Sequence, residues 1–169
     1  MEAGPNSRTR AAGGREMDDV IQRLEAAGAR FLLIGGQAMR LEGMPRFSMD
    51  WDLLVDDRPA NLARIAEALG DELDLPLIPR GPKGEHIVQT YQTRWGVLQV
   101  HLAIPGIASF EDAWARRQRL PSEKGVLFPC LSTRDLLTAK HASGRPQDRI
   151  DAEFLEQKLA GARGARPEA

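Results

Sequence analysis

The chain has 169 residues, 42% of them hydrophobic and 28% charged, and this ordinary composition predicts one globular domain. Its formal net charge of -1 provides no global field for nucleic acid, although a local basic patch is compatible with it. No apolar run reaches the roughly 20 residues that cross a bilayer, residues 1–14 lack the apolar core of a signal peptide, and Cys130 has no second cysteine for a disulfide. We therefore expect a cytoplasmic protein without a membrane segment.

The first half of the chain predicts helices and strands in alternation after a disordered tail over residues 1–14. Apolar residues at helical spacing are followed by Gly28, which is placed to end a helix, and Pro59 is placed to open another. The elements predicted for this half are a helix over 15–27, a strand over 31–34, a short helix over 37–42, a strand over 48–55 and a helix from Pro59 to about Leu69.

The second half predicts two strands, a helix, a further strand and two C-terminal helices. Residues 81–84 form a predicted turn, and Ser132 with Asp135 resembles a capping box at the start of a helix. The elements predicted for this half are strands over 86–93 and 97–104, a helix over 110–119, a strand over 126–130 and helices over 132–142 and 147–159, with residues 75–78 ambiguous and 161–169 a frayed tail.

Short links between these strands and helices predict an α+β fold with α/β-like features, in one domain over residues 15–160. The sheet should be covered by helices on at least one side. In the last helix the apolar positions predict the buried face, namely Ile150, Phe154, Leu155 and Leu159.

Two aspartates and a pair of glycines carry the strongest functional signal. Asp50 and Asp52 are two residues apart in a predicted strand, so their carboxylates should point to the same face. Gly35-Gly36 follows the preceding strand, where a backbone without side chains can approach a phosphate closely. Mg²⁺ is usually held by one or two carboxylates together with substrate phosphates. The pattern therefore predicts a site for a complex of a metal ion and a nucleotide.

A different interpretation of Asp50 and Asp52 is a pair of solvent-facing side chains on an edge strand. Aspartate is disfavoured inside strands, and the neighbouring Trp51 and residues 53–55 are apolar, which favours burial on at least one face. Together with the paired glycines, this composition favours the metal site.

Two segments resemble the signature of nucleotidyltransferase-fold proteins. The first is Gly35-Gly36-Gln37-Ala38, followed by Gly43, Arg46 and Ser48-Met49-Asp50-Trp51-Asp52, and the second is the basic and acidic run from Lys140 to Asp151. The likeness is closest to the AbiEii/AbiGii toxin-like branch and spans residues 31–155. It implies a mixed β-sheet flanked by helices, with C-terminal helices. It also implies an enzyme that moves a nucleoside monophosphate from an NTP to an acceptor with the help of Mg²⁺ or Mn²⁺.

The resemblance also implies roles for single residues of the first segment. Gly35 and Gly36 would contact triphosphate oxygens through backbone amides, and Ser48 would add a hydroxyl contact. Asp50 and Asp52 would bind the metal ion and carry catalysis.

In the second segment the resemblance implies that Lys140 neutralises charge on the reacting phosphate, assisted by Arg145. Asp148 would orient Lys140 or contact the nucleotide. Asp151 is a further candidate because it is three residues from Asp148 on the same helical face, and Arg46 is another because it could meet a phosphate. A solvated helix junction rich in ion pairs is the alternative interpretation of this segment.

The chain departs from the family pattern at one position. Catalytic members usually have a third carboxylate on a neighbouring strand, although some toxin-like relatives have fewer, and the corresponding predicted strand over 97–104 offers Gln99 and His101 instead. His101 could act as a base, since its ordinary pKa near 6.5 suits proton transfer at neutral pH. Gln99 offers only a neutral oxygen to a cation.

Two functions therefore remain open from the sequence. One is a Mg-dependent nucleotidyltransferase whose acceptor is tRNA, another protein or a small molecule, with a cognate antitoxin as a candidate partner. The other is a catalytically silent module of the same fold that binds a nucleotide or a protein partner.

Overall fold

The computed structural model of the protein describes residues 13–70, 73, 76–78, 81–85 and 88–164. Helices and strands alternate in the first half of the chain, two pairs of consecutive strands separated by a helix follow, and two helices close the chain. The elements are α1 Gly13–Ala26, β1 Phe31–Ile34, α2 Gly35–Leu41, β2 Trp51–Val55, α3 Pro59–Leu69, β3 Val88–Thr93, β4 Gly96–His101, α4 Phe110–Ala115, β5 Gln118–Pro121, β6 Leu127–Cys130, α5 Thr133–Ser143 and α6 Pro146–Gly164.

The six strands form one mixed sheet in the order β3-β4-β2-β1-β6-β5. β1 is antiparallel to β2 and parallel to β6, and β2 is parallel to β4. The outer pairs β3/β4 and β5/β6 are antiparallel. The predicted α+β fold with a mixed sheet and flanking helices is therefore confirmed.

The central strand β1 lies in the core, and all four of its side chains are buried. A strand buried on both faces requires packing layers on both sides of the sheet. On α1 the apolar residues at helical spacing, among them Val20 and Leu24, are buried, and this helix packs against α3. On α3 the buried residues include Leu62 and Ile65, as the apolar pattern predicted.

Several sequence predictions agree with the structure in detail. β1 has the predicted bounds, α3 begins at Pro59, and residues 82–83 form a turn ahead of Gly84. The Ser132 hydroxyl accepts a hydrogen bond from the Asp135 amide at 3.1 Å, which caps α5. Gly144 ends α5 in the left-handed conformation with φ +65°.

The segment between α2 and β2 differs from its prediction. α2 begins at Gly35, so the paired glycines form its first turn, and β2 begins at Trp51 rather than at residue 48. Residues 44–50 have neither helical nor strand hydrogen bonding. β1 has only four residues, and its antiparallel pairing with β2 ends at Ile34 and Asp52. A longer β2 would therefore have no partner on that side.

The predicted helix over 110–119 is wrong in its second half. α4 ends at Ala115, and residues 118–121 form the edge strand β5, which pairs with β6. Partly buried and exposed side chains alternate along β5, as on an edge strand that covers the core with one face. Pairing with a distant strand therefore overrides the local helical pattern.

The buried face of α6 also differs from its prediction. Ile150 is 53% exposed, whereas Asp148 and Asp151 on the same helix are buried. The helix turns its charged face inward because cations from α5 and from the segment before β2 meet it there. α6 continues through Gly164, beyond the predicted end at residue 159.

The remaining differences concern strand ends and chain termini. β4 ends at His101, earlier than predicted. Parts of the predicted tails, of the ambiguous segment and of one predicted strand lie outside the described residues. These parts are residues 1–12, 165–169, 74–75 and 86–87. Within the described ranges, no helix has the length and apolar character to cross a bilayer.

Candidate functional site

A cavity of about 560 Å³ opens where β1, β2 and β4 meet the residues before β2 and the α5–α6 junction. Small-molecule sites in proteins have volumes in this range. The sequence-predicted residues that line it are Gly35, Gly36, Arg46, Ser48, Asp50, Asp52, Gln99, His101, Lys140, Arg145 and Asp148. Only Asp151 of the predicted set is outside the lining. The fold thus brings two motifs that are far apart in sequence to one cavity.

The two glycines form a turn with no room for side chains. Gly35 has φ +70°, a left-handed conformation, and a Cβ there would lie 2.6 Å from Asp52 Oδ2. A Cβ at Gly36 would lie 2.5 Å from Ser48 Oγ. The backbone of the turn is therefore pressed against one carboxylate and one hydroxyl, and no side chain caps the first amides of α2.

Asp52 lies on β2 and lines the cavity. His101 Nε2 is 2.8 Å from Asp52 Oδ1, and Gln99 is the register partner of Asp52 on β4. Asp50 precedes β2, and its main-chain oxygen lies 3.4 Å from the Ser48 hydroxyl that donates to it. A histidine therefore pairs with the carboxylate where the resemblance implies a third carboxylate.

The described residues contain no cluster of three or more His, Cys, Asp or Glu side chains that could hold a metal ion. Two carboxylates, those of Asp50 and Asp52, line the cavity next to the glycine turn. A third, that of Asp148, lines the same cavity but is already paired with cations.

Lys140 is buried at the cavity wall between two aspartates of α6. Its Nζ is 3.2 Å from Asp148 Oδ1 and 2.8 Å from Asp151 Oδ2. Although burial raises the pKa of Asp148, hydrogen bonds from Arg145, Ser143 and Lys140 hold that pKa well below its ordinary value. Asp148 is therefore ionised at neutral pH, and the lysine is held in one position.

Arg145 lies at the turn between α5 and α6 and remains largely exposed. Its Nε donates to Asp148 Oδ2 at 2.8 Å, and its main-chain amide donates to the same oxygen at 3.2 Å. The hydrogen bond to Asp148 and the charge of that carboxylate raise the pKa of Arg145. The guanidinium is therefore a permanent positive charge at the cavity edge.

The segment that carries Ser48 and Asp50 is anchored from two sides. The Arg46 guanidinium makes an ion pair with Asp151, which is completely buried. Gln37 Nε2 donates to the main-chain oxygen of Ser48 at 3.0 Å. Asp151 therefore acts on the cavity through Arg46 and Lys140 rather than by lining it.

Sequence reasoning missed the apolar part of the lining. Phe47 and Met49 line the cavity and are highly exposed. The available signal was their position in the sequence, since Phe47 and Met49 alternate with the predicted site residues Arg46, Ser48 and Asp50.

No protein-family model matches the chain, and no curated protein matches it either. Solved structures do match. A proposed nucleotidyltransferase from Thermotoga maritima, TM1012, superposes with a TM-score of 0.60 at 15% identity and covers 87% of this chain and 92% of its own. The lincosamide antibiotic adenylyltransferase LnuA, in a lincomycin-bound crystal structure, has a TM-score of 0.57 at 19% identity and covers 84% of this chain and 95% of its own.

The chain has the nucleotidyltransferase fold. This confirms the fold implied by the resemblance of the two sequence motifs. At identities below 20% the comparisons show the fold alone, and they do not show the AbiEii/AbiGii branch.

Proposed function

We propose that this protein transfers a nucleoside monophosphate from an NTP to an acceptor. One observation carries the proposal. In a nucleotidyltransferase fold, the Gly35 backbone is pressed against Asp52 in a cavity that Lys140 also lines. Backbone without side chains, a carboxylate and a cation are the three features that handling of a metal–triphosphate complex requires.

The nucleotide would bind through its phosphates. Gly35 and Gly36 offer backbone amides at a helix start that no side chain caps, and the Ser48 hydroxyl lies directly beside Gly36. Arg145 adds a permanent positive charge at the cavity edge. These contacts fix the position of the triphosphate, and position is most of what phosphoryl transfer requires of a protein.

The donor set fits Mg²⁺ or Mn²⁺. Asp50 and Asp52 supply carboxylate oxygens in the same cavity, and a site with two carboxylates leaves coordination positions for phosphate oxygens and water, as Mg²⁺ prefers. The bound ion would neutralise phosphate charge and make the α-phosphorus a better electrophile. His101 beside Asp52 would hold that carboxylate in one orientation.

In the reaction an acceptor oxygen forms a bond to the α-phosphorus, and the bond to the bridging oxygen breaks, so that pyrophosphate leaves with the electron pair. Lys140 would stabilise the negative charge on the phosphates, oriented by Asp148 and Asp151. The proton of the acceptor hydroxyl would pass to the imidazole of His101, which contacts Asp52.

For the acceptor we propose chemical classes, namely a small molecule, tRNA or a protein. LnuA carries the name of an adenylyltransferase for lincosamide antibiotics, which suggests a small-molecule acceptor. The resemblance to the AbiEii/AbiGii branch suggests tRNA or a protein acceptor in the cytoplasm, together with a cognate antitoxin. The net charge of -1 gives RNA no independent support.

The test is a transfer assay with α-labelled NTPs and Mg²⁺ or Mn²⁺. The purified protein is incubated separately with total tRNA, with cell protein, and with lincosamide and aminoglycoside antibiotics. We expect label in one acceptor class, abolished by Asp50→Asn and by Asp52→Asn. Glu153→Gln, an exposed carboxylate on α6, is the matched control and should transfer normally. Transfer that survives both aspartate variants would contradict the proposal.

A second candidate function is a silent module that binds a nucleotide without transferring it. The observation that favours it is the pairing of Asp52 with His101 where a third carboxylate is expected. This candidate predicts a thermal shift with Mg-NTP and no labelled product with any acceptor. Labelled product with the wild-type protein would exclude it.

A further inference from the structure

The segment of residues 44–50 presents apolar side chains at the mouth of the cavity. Phe47 is 84% exposed and Met49 is 71% exposed, and both line the cavity together with the half-exposed Val88 of β3. Among the described residues six large hydrophobic side chains are exposed, and three of them gather at this opening. Scattered exposed apolar residues need no explanation, but a cluster at the rim of a polar cavity indicates a ligand contact.

Phe47 combines an exposed ring with an anchored backbone. The residue before it, Arg46, is paired with Asp151, and the main-chain oxygen of the residue after it, Ser48, accepts a hydrogen bond from Gln37. The backbone is therefore held on both sides of the ring. Little backbone freedom is therefore lost when a ligand contacts the ring.

The cavity has two chemically different parts. The inner part has the glycine turn and Lys140, which suit the negative charge of phosphates, and Arg145 adds a positive charge at the cavity edge. The rim has Phe47 and Met49, which suit a flat apolar group. An NTP has a polyanionic end and a flat aromatic end, so its two ends match the two parts.

We propose that Phe47 is the stacking surface for the nucleobase of the bound NTP, an inference that rests on the proposed function. The ring is one residue from Ser48, whose hydroxyl lies against Gly36 of the phosphate turn. A nucleotide anchored at that turn therefore has an aromatic face available next to it. Every base has a π-face, so stacking contributes affinity without strict base selection.

The test compares ligands with and without a base. Binding of Mg-ATP, Mg-CTP and Mg-tripolyphosphate to the full chain is measured by isothermal titration calorimetry. The variants are Phe47→Ala, Phe47→Trp, which retains an aromatic face, and Ile150→Ala, a matched control because Ile150 is also exposed but is outside the cavity lining. Both positions are exposed, so folding should survive the substitutions.

We expect Phe47→Ala to weaken ATP binding on the order of 10-fold. CTP should lose less than ATP because a pyrimidine has a smaller face, and tripolyphosphate should bind as before. Phe47→Trp and Ile150→Ala should retain ATP affinity.

Two results would overturn the inference and leave the proposed function intact. One is an unchanged affinity of Phe47→Ala for ATP. The other is an equal loss of affinity for ATP and for tripolyphosphate, which would mean that Phe47 maintains the shape of the phosphate turn and does not contact the base. A wild-type protein that binds neither ATP nor tripolyphosphate would overturn the inference and the proposed function together.

Discussion

Asp151 on α6 and Arg46 in the segment before β2 form an ion pair between residues that are 105 positions apart in the chain. The same carboxylate, completely buried, contacts Lys140 of α5 at 2.8 Å and accepts a hydrogen bond from Gln147 at 3.0 Å. One side chain outside the cavity lining therefore sets the positions of two cations that line it. The arrangement couples the C-terminal helices to the segment that carries Ser48.

The first prediction concerns this carboxylate. Asp151→Asn keeps the volume of the side chain but leaves two partly buried cations with less negative charge. Removing one partner of a buried ion pair costs about 3–5 kcal/mol, so we expect a loss of that size in the free energy of unfolding, measured by urea denaturation. Glu153→Gln makes the same change at an exposed position of α6 and should shift stability by less than about 0.5 kcal/mol. Equal stability of the two variants would contradict the prediction.

The second prediction separates backbone strain from side-chain contact at the glycine turn. Gly35 and Gly28 have nearly the same conformation, with φ +70° and φ +72°, but only at Gly35 would a Cβ meet another group, Asp52 Oδ2 at 2.6 Å. Gly28→Ala should therefore cost about 1–2 kcal/mol from strain alone. Gly35→Ala should be less stable than Gly28→Ala and should also displace Asp52.

The measurements for this pair are urea denaturation and binding of Mg-ATP. Gly28→Ala should retain the wild-type affinity for the nucleotide, whereas Gly35→Ala should lose most of it. If both alanine variants bind Mg-ATP equally well, the contact between Gly35 and Asp52 is irrelevant to the site.

The third prediction is a pH dependence. The pKa of Asp148 in the folded protein lies well below its ordinary value of 3.8. A carboxyl with a lowered folded-state pKa contributes stability that is present above the unfolded-state pKa and is lost as the pH falls towards the folded-state pKa. Asp148→Asn should therefore be less stable than the wild type at pH 7, and the difference should narrow from about pH 4 downward.

Denaturation curves of the wild type and Asp148→Asn at pH 7, 5, 4 and 3 provide the measurement. Arg145→Gln removes one of the cations that lower the pKa of Asp148, so in that variant the acid-dependent loss of stability should be smaller and should be complete at a higher pH. A difference between wild type and Asp148→Asn that widens on acidification would show that the carboxyl is not stabilised in its ionised form.

The fourth prediction concerns the single cysteine. Cys130 is completely buried in β6, and burial raises the pKa of its thiol to about 12. Because the thiolate is the reactive form, a disulfide reagent at pH 8 should label the folded protein far more slowly than the protein in guanidinium chloride. Fast labelling without denaturant would mean that β6 opens frequently or that the thiol is accessible.

Local chemistry made part of this fold predictable. The apolar run Phe31–Ile34 has the bounds of β1, Pro59 opens α3, and Gly144 ends α5, because each depends on the conformational preferences of a few adjacent residues. The paired glycines and the paired aspartates could be recognised in the sequence for the same reason, since each motif lies within a few adjacent residues. Their roles in binding and catalysis stay predictions.

Interactions between distant residues made the rest unpredictable. Strand β5 exists because residues 118–121 pair with β6, and the local pattern there resembles a helix. Ile150 is exposed although its spacing predicts burial, because the buried face of α6 is the one that carries Asp148 and Asp151. The local sequence of a helix does not indicate which of its faces will contact a cation from a distant segment.

The sequence by itself determined the fold class, the glycine turn and the two aspartates after it, since these follow from backbone conformation and residue chemistry within short segments. Only the tertiary structure decided that Lys140 is held between two aspartates, that His101 pairs with Asp52, and that Phe47 stands at the cavity mouth. The physical reason is that ion pairs, burial and cavity walls arise from contacts between segments far apart in the chain, and their geometry exists only once the sheet and the C-terminal helices have packed together.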